Sequence, residues 1–282
     1  MNGIKKIITL GPENTFSDIA TRIYCSSEHC QFTIQYAKSI QDTLNTLNKG
    51  EAEFAVLPIE NFSEGYISLV LDYFIKTDLF IEEEIILPIK FSLISNVKTG
   101  SEIKKLYVQF VAKGQCSNFI SSLQNIELVL TESNIQSLNS FIENPKECAA
   151  IVPTSAVKQE DFNFVVDNVN DFENNQTRFL VLSNKRKTKE NKSHNNYKTT
   201  IIVVDKNDYP GFLGDVLSSF SKRDINLTSI NSIPTKDVFG KYYFLIDFDG
   251  YIYDKKIEAA LNELVAKHSV KILGSYKKAK KG

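Results

Sequence analysis

The sequence predicts an α/β protein in two parts, a two-lobed region over residues 1–182 and a ferredoxin-like βαββαβ unit over 199–276. Three observations carry this. Short β-type apolar runs alternate with segments of helical spacing from Ile4 to Leu182. Residues 183–198 are polar, basic and without apolar periodicity, as a linker is. Beyond them the order strand, helix, strand, strand, helix, strand is completed within about 80 residues, and a basic tail, 277–282, is expected to fray.

Element by element, Ile4–Leu10 reads as a strand, and Asp18–Tyr24 as a helix with Ile19, Ala20 and Ile23 on one face. Between them lies Gly11-Pro12-Glu13-Asn14-Thr15-Phe16-Ser17. A strand, a Gly-Pro turn and a hydroxyl-rich helix start form a natural anion site, because first-turn N–H groups lack intrahelical acceptors and the dipole favours negative charge. Thr15 or Ser17 reads equally well as a plain helix cap. Residues 40–49 are helical, and Phe54–Ile59 is nearly continuous apolar chain, as a buried parallel strand would be. It runs into Glu60-Asn61-Phe62-Ser63-Glu64-Gly65, polar groups at a strand end where α/β sheets bind ligands.

Helical spacing resumes over 66–76. Ile81–Ser95 alternates like strand, interrupted by Pro88, and Lys105–Phe110 is another strand. Gly114-Gln115-Cys116-Ser117 leads into a helix through Leu123. Strand, helix, strand and strand follow at 127–130, 135–142, 149–153 and 164–166. Leu180–Leu182 is a strand with Thr177 and Arg178 at its entrance, where a turn Thr and a surface Arg are the ordinary reading. Past the linker, strands at 199–204, 225–230, 242–248 and 270–276 alternate with helices at 212–223 and 254–268.

Composition narrows the function. The 282 residues carry 33 Lys+Arg against 34 Asp+Glu, so no broad electropositive surface for nucleic acid is expected. No apolar run reaches the ~18 residues of a membrane span, and the N-terminus leads into a strand instead of an export signal, so a cytoplasmic protein is expected. Four cysteines make no disulfide framework. His29 beside Cys30 is the one Cys/His cluster, and its residues read as ordinary surface or structural groups, with no metal expected. No Ser-His-Asp or Cys-His arrangement is visible, so any chemistry rests on hydroxyls, amides, carboxylates and Arg.

Three segments then acquire a common meaning. Gly11–Ser17 resembles the GPxGTFS motif of prephenate dehydratases, Pro58–Gly65 their PIENSxxG motif, and Asn175-Gln176-Thr177-Arg178-Phe179 their NxTRF motif. The C-terminal unit resembles the ACT regulatory domain through Pro210-Gly211, Asp224–Thr228 and Leu273-Gly274-Ser275-Tyr276. The resemblance implies a catalytic domain like the type 2 periplasmic binding proteins, with a cleft between lobes. It implies conversion of prephenate to phenylpyruvate without a cofactor, feedback by L-phenylalanine, and a homodimer or homotetramer.

Carried over by position, Thr177, Glu60, Asn61 and Gln115 are the implied catalytic residues. Arg178, Phe179, Thr15 and Ser17 are the implied substrate-binding residues. Pro210, Gly211, Phe212, Leu213, Asn226, Leu227, Asn231 and Ser232 are the implied allosteric set, on loops 208–213 and 227–234. Phe212, Leu213 and Ile233 would line an apolar pocket.

The chain departs from the pattern at four places. Asn14 replaces a Gly, which a left-handed turn tolerates. Phe62 replaces a small hydroxyl residue. Val108-Gln109-Phe110-Val111 replaces Ser-His-Pro-Gln, removing one implied active-site hydroxyl. Asn231-Ser232-Ile233-Pro234 replaces Glu-Ser-Arg-Pro, which weakens the expected phenylalanine control. Arogenate dehydration, decarboxylation that keeps the ring hydroxyl, and a non-catalytic amino-acid sensor are the competing readings. Retention of Thr177 argues against the second, and retention of Glu60, Asn61, Gln115 and Thr177 together against the third.

Overall fold

A computed structural model describes residues 4–186, 196–204, 209–236 and 240–279. Most of the linker, Asp208 of the first expected regulatory loop, and the last three residues lie outside them.

The first lobe contains β1 (Lys5–Leu10), α1 (Phe16–Ser27), β2 (Phe32–Ala37), α2 (Ile40–Asn48), β3 (Phe54–Asn61), β4 (Gly65–Tyr66), α3 (Ser68–Lys76) and β5 (Phe80–Pro88). The second contains β6 (Phe91–Ser95), β7 (Lys105–Gln109), α4 (Phe110–Gln115), α5 (Ser117–Ser122), β8 (Glu127–Thr131), α6 (Asn134–Glu143), β9 (Cys148–Pro153) and β10 (Phe164–Val166). The chain then returns to the first lobe as β11 (Gln176–Ser183). The first sheet has the order β2-β1-β3-β11-β5, and the second β10-β6-β9-β7-β8. Parallel pairs surround β1 and β7, whereas β11 runs antiparallel to β3 and β5, and β6 antiparallel to β9 and β10. The sheets are therefore mixed. A strand arriving from the other lobe through a short connection enters against the direction of its neighbours, because parallel entry needs a crossover.

Strand β2 carries no clear apolar alternation in its sequence, because its residues are only partly buried at the sheet edge. The last strand of the catalytic part begins at Gln176, four residues before the predicted start. Hydrogen-bonded partners on both sides, β3 and β5, carry its polar entrance residues into the sheet.

The C-terminal unit runs β12 (Tyr197–Val204), α7 (Phe212–Ser221), β13 (Leu227–Pro234), β14 (Tyr242–Asp249), α8 (Lys255–Lys267) and β15 (Ser269–Lys277), with sheet order β13-β14-β12-β15. One face of this sheet packs on α7 and α8 through Ile201, Val203, Ile246, Phe248 and Leu264. The other face packs on the first lobe. Ile202, Ile233, Leu245, Leu273 and Tyr276 share one apolar cluster with Leu57, Phe74, Ile81 and Leu180. At the closest approach a Cβ on Gly274 would overlap the carbonyl oxygen of Ile81. Glycine lets β15 lie directly against β5. Within the tail expected to fray, two described residues are held: the Lys278 N–H donates to the Asn196 carbonyl and the Ala279 N–H to Glu84.

Candidate active site

The lobes meet where β3 ends, β11 begins and the chain crosses at 88–91 and 169–175. Strands β7 and β9 point their C-terminal ends at the same place, since Phe91 pairs with Pro153 and β7 is parallel to β9. The Phe16 and Phe91 rings, one from each lobe, meet edge-on at 5.8 Å. Ligands bind outside the carboxyl ends of such strands.

Thr177 and Asn61 face each other across the β11–β3 ladder. Asn61 Nδ2 donates to Thr177 Oγ1 at 2.8 Å. The amide orientation is fixed from its other end, where Asn61 Oδ1 accepts the Ser63 and Glu64 N–H groups and the Ser63 hydroxyl. Thr177 thus receives a hydrogen bond on its oxygen and keeps its own proton to donate. Thr177 is buried, so a donor there acts in a poorly solvated site.

Gln115 comes from the second lobe, at the end of α4. Asn175 Nδ2 donates to Gln115 Oε1 at 3.1 Å, and the Asp171 N–H donates to the Gln115 carbonyl. Gln115 is therefore tied to the segment leading directly into Thr177, with its amide oxygen engaged and its NH2 as the group left to present. Cys116, next in the chain, is no nucleophile, because burial pushes its thiol up to about 12.

The remaining implied residues divide differently. Thr15 is the N-cap of α1: its Oγ1 accepts the Asp18 N–H and donates to the Pro12 carbonyl at 2.9 Å. That corrects its substrate-binding assignment, because its single proton is spent within the turn. Ser17 is buried in the first turn of α1, where its carbonyl accepts Thr9 and Thr21 hydroxyls. Phe179 is 2 % exposed and packs with Ile7, Ala20 and Val56, so it is a core residue and not a substrate contact.

Arg178 is the largest correction. Successive strand residues point to opposite faces, so Arg178 points away from Thr177. Its Nε donates to Glu84 at 2.9 Å, Nη1 to Asp247 at 2.7 Å and Nη2 to the Tyr276 hydroxyl at 2.8 Å. Asp247 and Tyr276 belong to the C-terminal unit. Each guanidinium nitrogen already has a protein partner on the face away from Thr177, so the geometry suits Arg178 to fixing a neighbouring residue of the cleft and not to anchoring a substrate carboxylate. Glu60 lies on this same side, with Oε2 3.8 Å from Arg178 Nη1. Burial pushes the Glu60 carboxyl up, and Arg178 offsets that only in part. Glu60 thus sits behind the strand that carries Asn61, apart from the Asn61–Thr177 pair.

Residue-type patterning missed Glu84, Asp247 and Tyr276. One signal was present: a carboxylate inside an apolar strand, as in Phe244-Leu245-Ile246-Asp247-Phe248, is costly unless a cation meets it. Val108, where a hydroxyl was expected, is fully buried in the second lobe's core, and Gln109 caps α4 by accepting the Val111 and Ala112 N–H groups. Phe62 and Phe110 stand exposed, at 72 % and 69 %.

The regulatory residues also separate. Leu227–Pro234 is strand β13, not a loop. Ile233 is buried against the catalytic lobe, while Phe212, the first residue of α7, packs on the opposite, helix-covered face of the sheet, so the two do not line one pocket. Gly211 adopts φ 97° as the N-cap of α7, beside Pro210. Asn226 donates to Asp249 at 3.0 Å. Leu227 and Ser232 lie on the helix side of β13, paired with Phe248 and Phe244, and Asn231 on the lobe side, paired with Leu245. Leu213 follows Phe212 in the first turn of α7 and is half-buried.

Among the described residues no group of three or more His, Cys, Asp or Glu is placed to hold a metal ion, and no helix is long and apolar enough to cross a membrane.

Residues 7–187 match the prephenate dehydratase family, and residues 199–266 match the ACT domain family. A bifunctional chorismate mutase/prephenate dehydratase of Aquifex aeolicus is 32 % identical over 278 residues, covering 97 % of this chain and 74 % of that protein. The prephenate dehydratase structure from Staphylococcus aureus superposes with TM-score 0.83 at 30 % identity, covering 96 % of this chain and 100 % of that one. The prephenate dehydratase of Arthrobacter aurescens, solved in complex with L-Phe, gives TM-score 0.80 at 29 % identity, covering 97 % and 90 %. The chain belongs to the prephenate dehydratase family and carries an ACT domain after its catalytic part.

Proposed function

We propose that the protein converts prephenate to phenylpyruvate, with Thr177 as the donor to the departing ring hydroxyl. The supporting observation is the Asn61–Thr177 hydrogen bond, which leaves the threonine O–H free to donate a hydrogen bond to the leaving oxygen. Loss of carbon dioxide supplies the electron pair that aromatises the ring as the hydroxyl leaves. The protein forms no covalent bond; it holds the dicarboxylate, orients the leaving oxygen and stabilises its developing charge. The Phe16 and Ser17 N–H groups at the start of α1 lack intrahelical acceptors and suit one substrate carboxylate. The Gln115 NH2 suits a second oxygen from across the cleft.

In this reading residues 1–182 are the catalytic domain, with the lobe arrangement of type 2 periplasmic binding proteins. Residues 199–276 are a ferredoxin-like ACT domain that binds L-phenylalanine near Pro210–Leu213 and β13 and pairs with a second copy, giving a homodimer or homotetramer. The cytoplasm is the proposed location, given four cysteines that are all free thiols. Incubation with prephenate, followed by absorbance of phenylpyruvate in alkali, tests the activity. Steady formation is expected; no product from folded protein overturns the reading. Arogenate in its place, with phenylalanine as the measured product, tests the rival substrate.

A further inference from the structure

We infer that Asp247 and Tyr276, residues of the ACT domain, are positioning residues for the dehydration step, acting on Thr177 through Arg178. The inference rests on the role of Thr177 proposed above. Arg178 is the next residue along β11, so any shift of its backbone moves the threonine hydroxyl.

The grip on Arg178 is closed and directional. Its Nη1 and Nη2 donate to Asp247 and to the Tyr276 hydroxyl. Thr200 Oγ1 donates to Asp247 Oδ1 at 2.7 Å and lies 2.6 Å from the Tyr276 hydroxyl. The single Thr200 proton goes to Asp247, so the tyrosine proton goes to Thr200. Guanidinium, phenol, threonine and carboxylate thus form one ring, in which each group fixes the next. Glu84 of β5 completes the set, held by Arg178, by Lys198 Nζ at 2.8 Å and by the Ala279 N–H. Asp247, Glu84 and Tyr276 are essentially inaccessible to solvent. A hydrogen-bonded ion cluster of this kind has narrow geometric tolerance.

The strand needs such a hold. The β11–β3 register shifts between Arg178 and Phe179, so the ladder is irregular immediately beside Thr177. On the β3 side backbone pairing defines the threonine less well than a regular ladder does, while the β11–β5 register runs unbroken from Gln176 to Val181. Three strands of the other domain, β12, β14 and β15, supply Thr200, Asp247 and Tyr276 to compensate.

Tyr276→Phe and Asp247→Asn test this in the full chain, with Lys236→Ala as control. Lys236 makes a separate cross-domain ion pair with Asp72 and touches none of the ring. Misplacement by about 1 Å lowers turnover by about a hundredfold. We expect kcat to fall tenfold or more in both ring variants with KM within a factor of about three. Lys236→Ala is expected to match wild type. Combining Tyr276→Phe with Arg178→Lys is expected to cost little beyond the worse single change, since both act through one contact. Thermal unfolding of each variant separates misplacement from loss of fold. Wild-type kcat in both folded ring variants overturns the inference while wild-type turnover still supports the proposed function. An equal fall in Lys236→Ala also overturns it, because general loosening of the domains then explains the loss. A wild type that makes no phenylpyruvate overturns the function itself.

Discussion

Asn61 donates its Nδ2 proton to Thr177 Oγ1 at 2.8 Å, and the residues lie 116 positions apart in the chain. The direction of this bond decides what the threonine can do. With a lone pair occupied by the amide, the hydroxyl proton is presented outward.

We expect Thr177→Val to lower kcat by about a hundredfold to a thousandfold, the usual loss of one donor aimed at a developing oxyanion. Thr177→Ser keeps the hydroxyl and should retain measurable turnover. Asn61→Asp reverses the bond, because a carboxylate accepts the threonine proton instead of donating to its oxygen. Its kcat should fall although the side chain is nearly the same size. Full activity in folded Asn61→Asp would falsify the directional account.

Arg178→Ala should act first on stability. Removing one member of a buried ion cluster leaves unpaired charge and costs about 3–5 kcal/mol. Urea unfolding of the variant measures this. A change near zero would show that the cluster carries no weight in the fold.

Glu84 yields a pH dependence with a definite sign. Burial alone would raise its carboxyl, but Arg178, Lys198 and the Ala279 N–H outweigh burial and hold it below the usual range. A depressed folded-state acid contributes stability above its unfolded value and loses it as pH falls through the folded one. The stability gap between wild type and Glu84→Gln should therefore be larger at pH 7 than at pH 3. Equal gaps at both values would count against a charged Glu84.

Gly274→Ala should weaken the domain contact, since the added methyl meets the Ile81 carbonyl and β15 must move. Ile233→Ala empties part of the same contact and should cost about 2–5 kcal/mol, as buried large-to-small changes do. Neither is expected to create a phenylalanine pocket or remove one. A lowered unfolding midpoint with unchanged phenylalanine affinity is the expected result for Ile233→Ala.

Phenylalanine itself should bind weakly, or bind without strong inhibition. Asn231 and Ile233 stand where the family's charged pair usually stands, and Ile233 is buried against the catalytic lobe. An effector controls rate only through its differential affinity for two states. Calorimetry and a rate titration on one sample measure both quantities. Tight binding with near-complete inhibition would show that the two substitutions matter little.

Much of this protein is determined by its sequence alone. Apolar runs of period two and of helical spacing mark most of the strands and helices, though not β2 or α4, because burying one face is a local demand. The three short motifs place the chemistry on hydroxyls and amides. What the tertiary structure decided is which motif residues act together. Thr177 and Arg178 are neighbours in the chain, yet the first meets Asn61 and the second meets Asp247 and Tyr276. Extending β11 back to Gln176 sends them to opposite faces of the sheet, and only long-range pairing with β3 and β5 extends it. For the same reason Ile233 and Phe212 part company, since a strand at residue 227–234 has two sides and a loop does not.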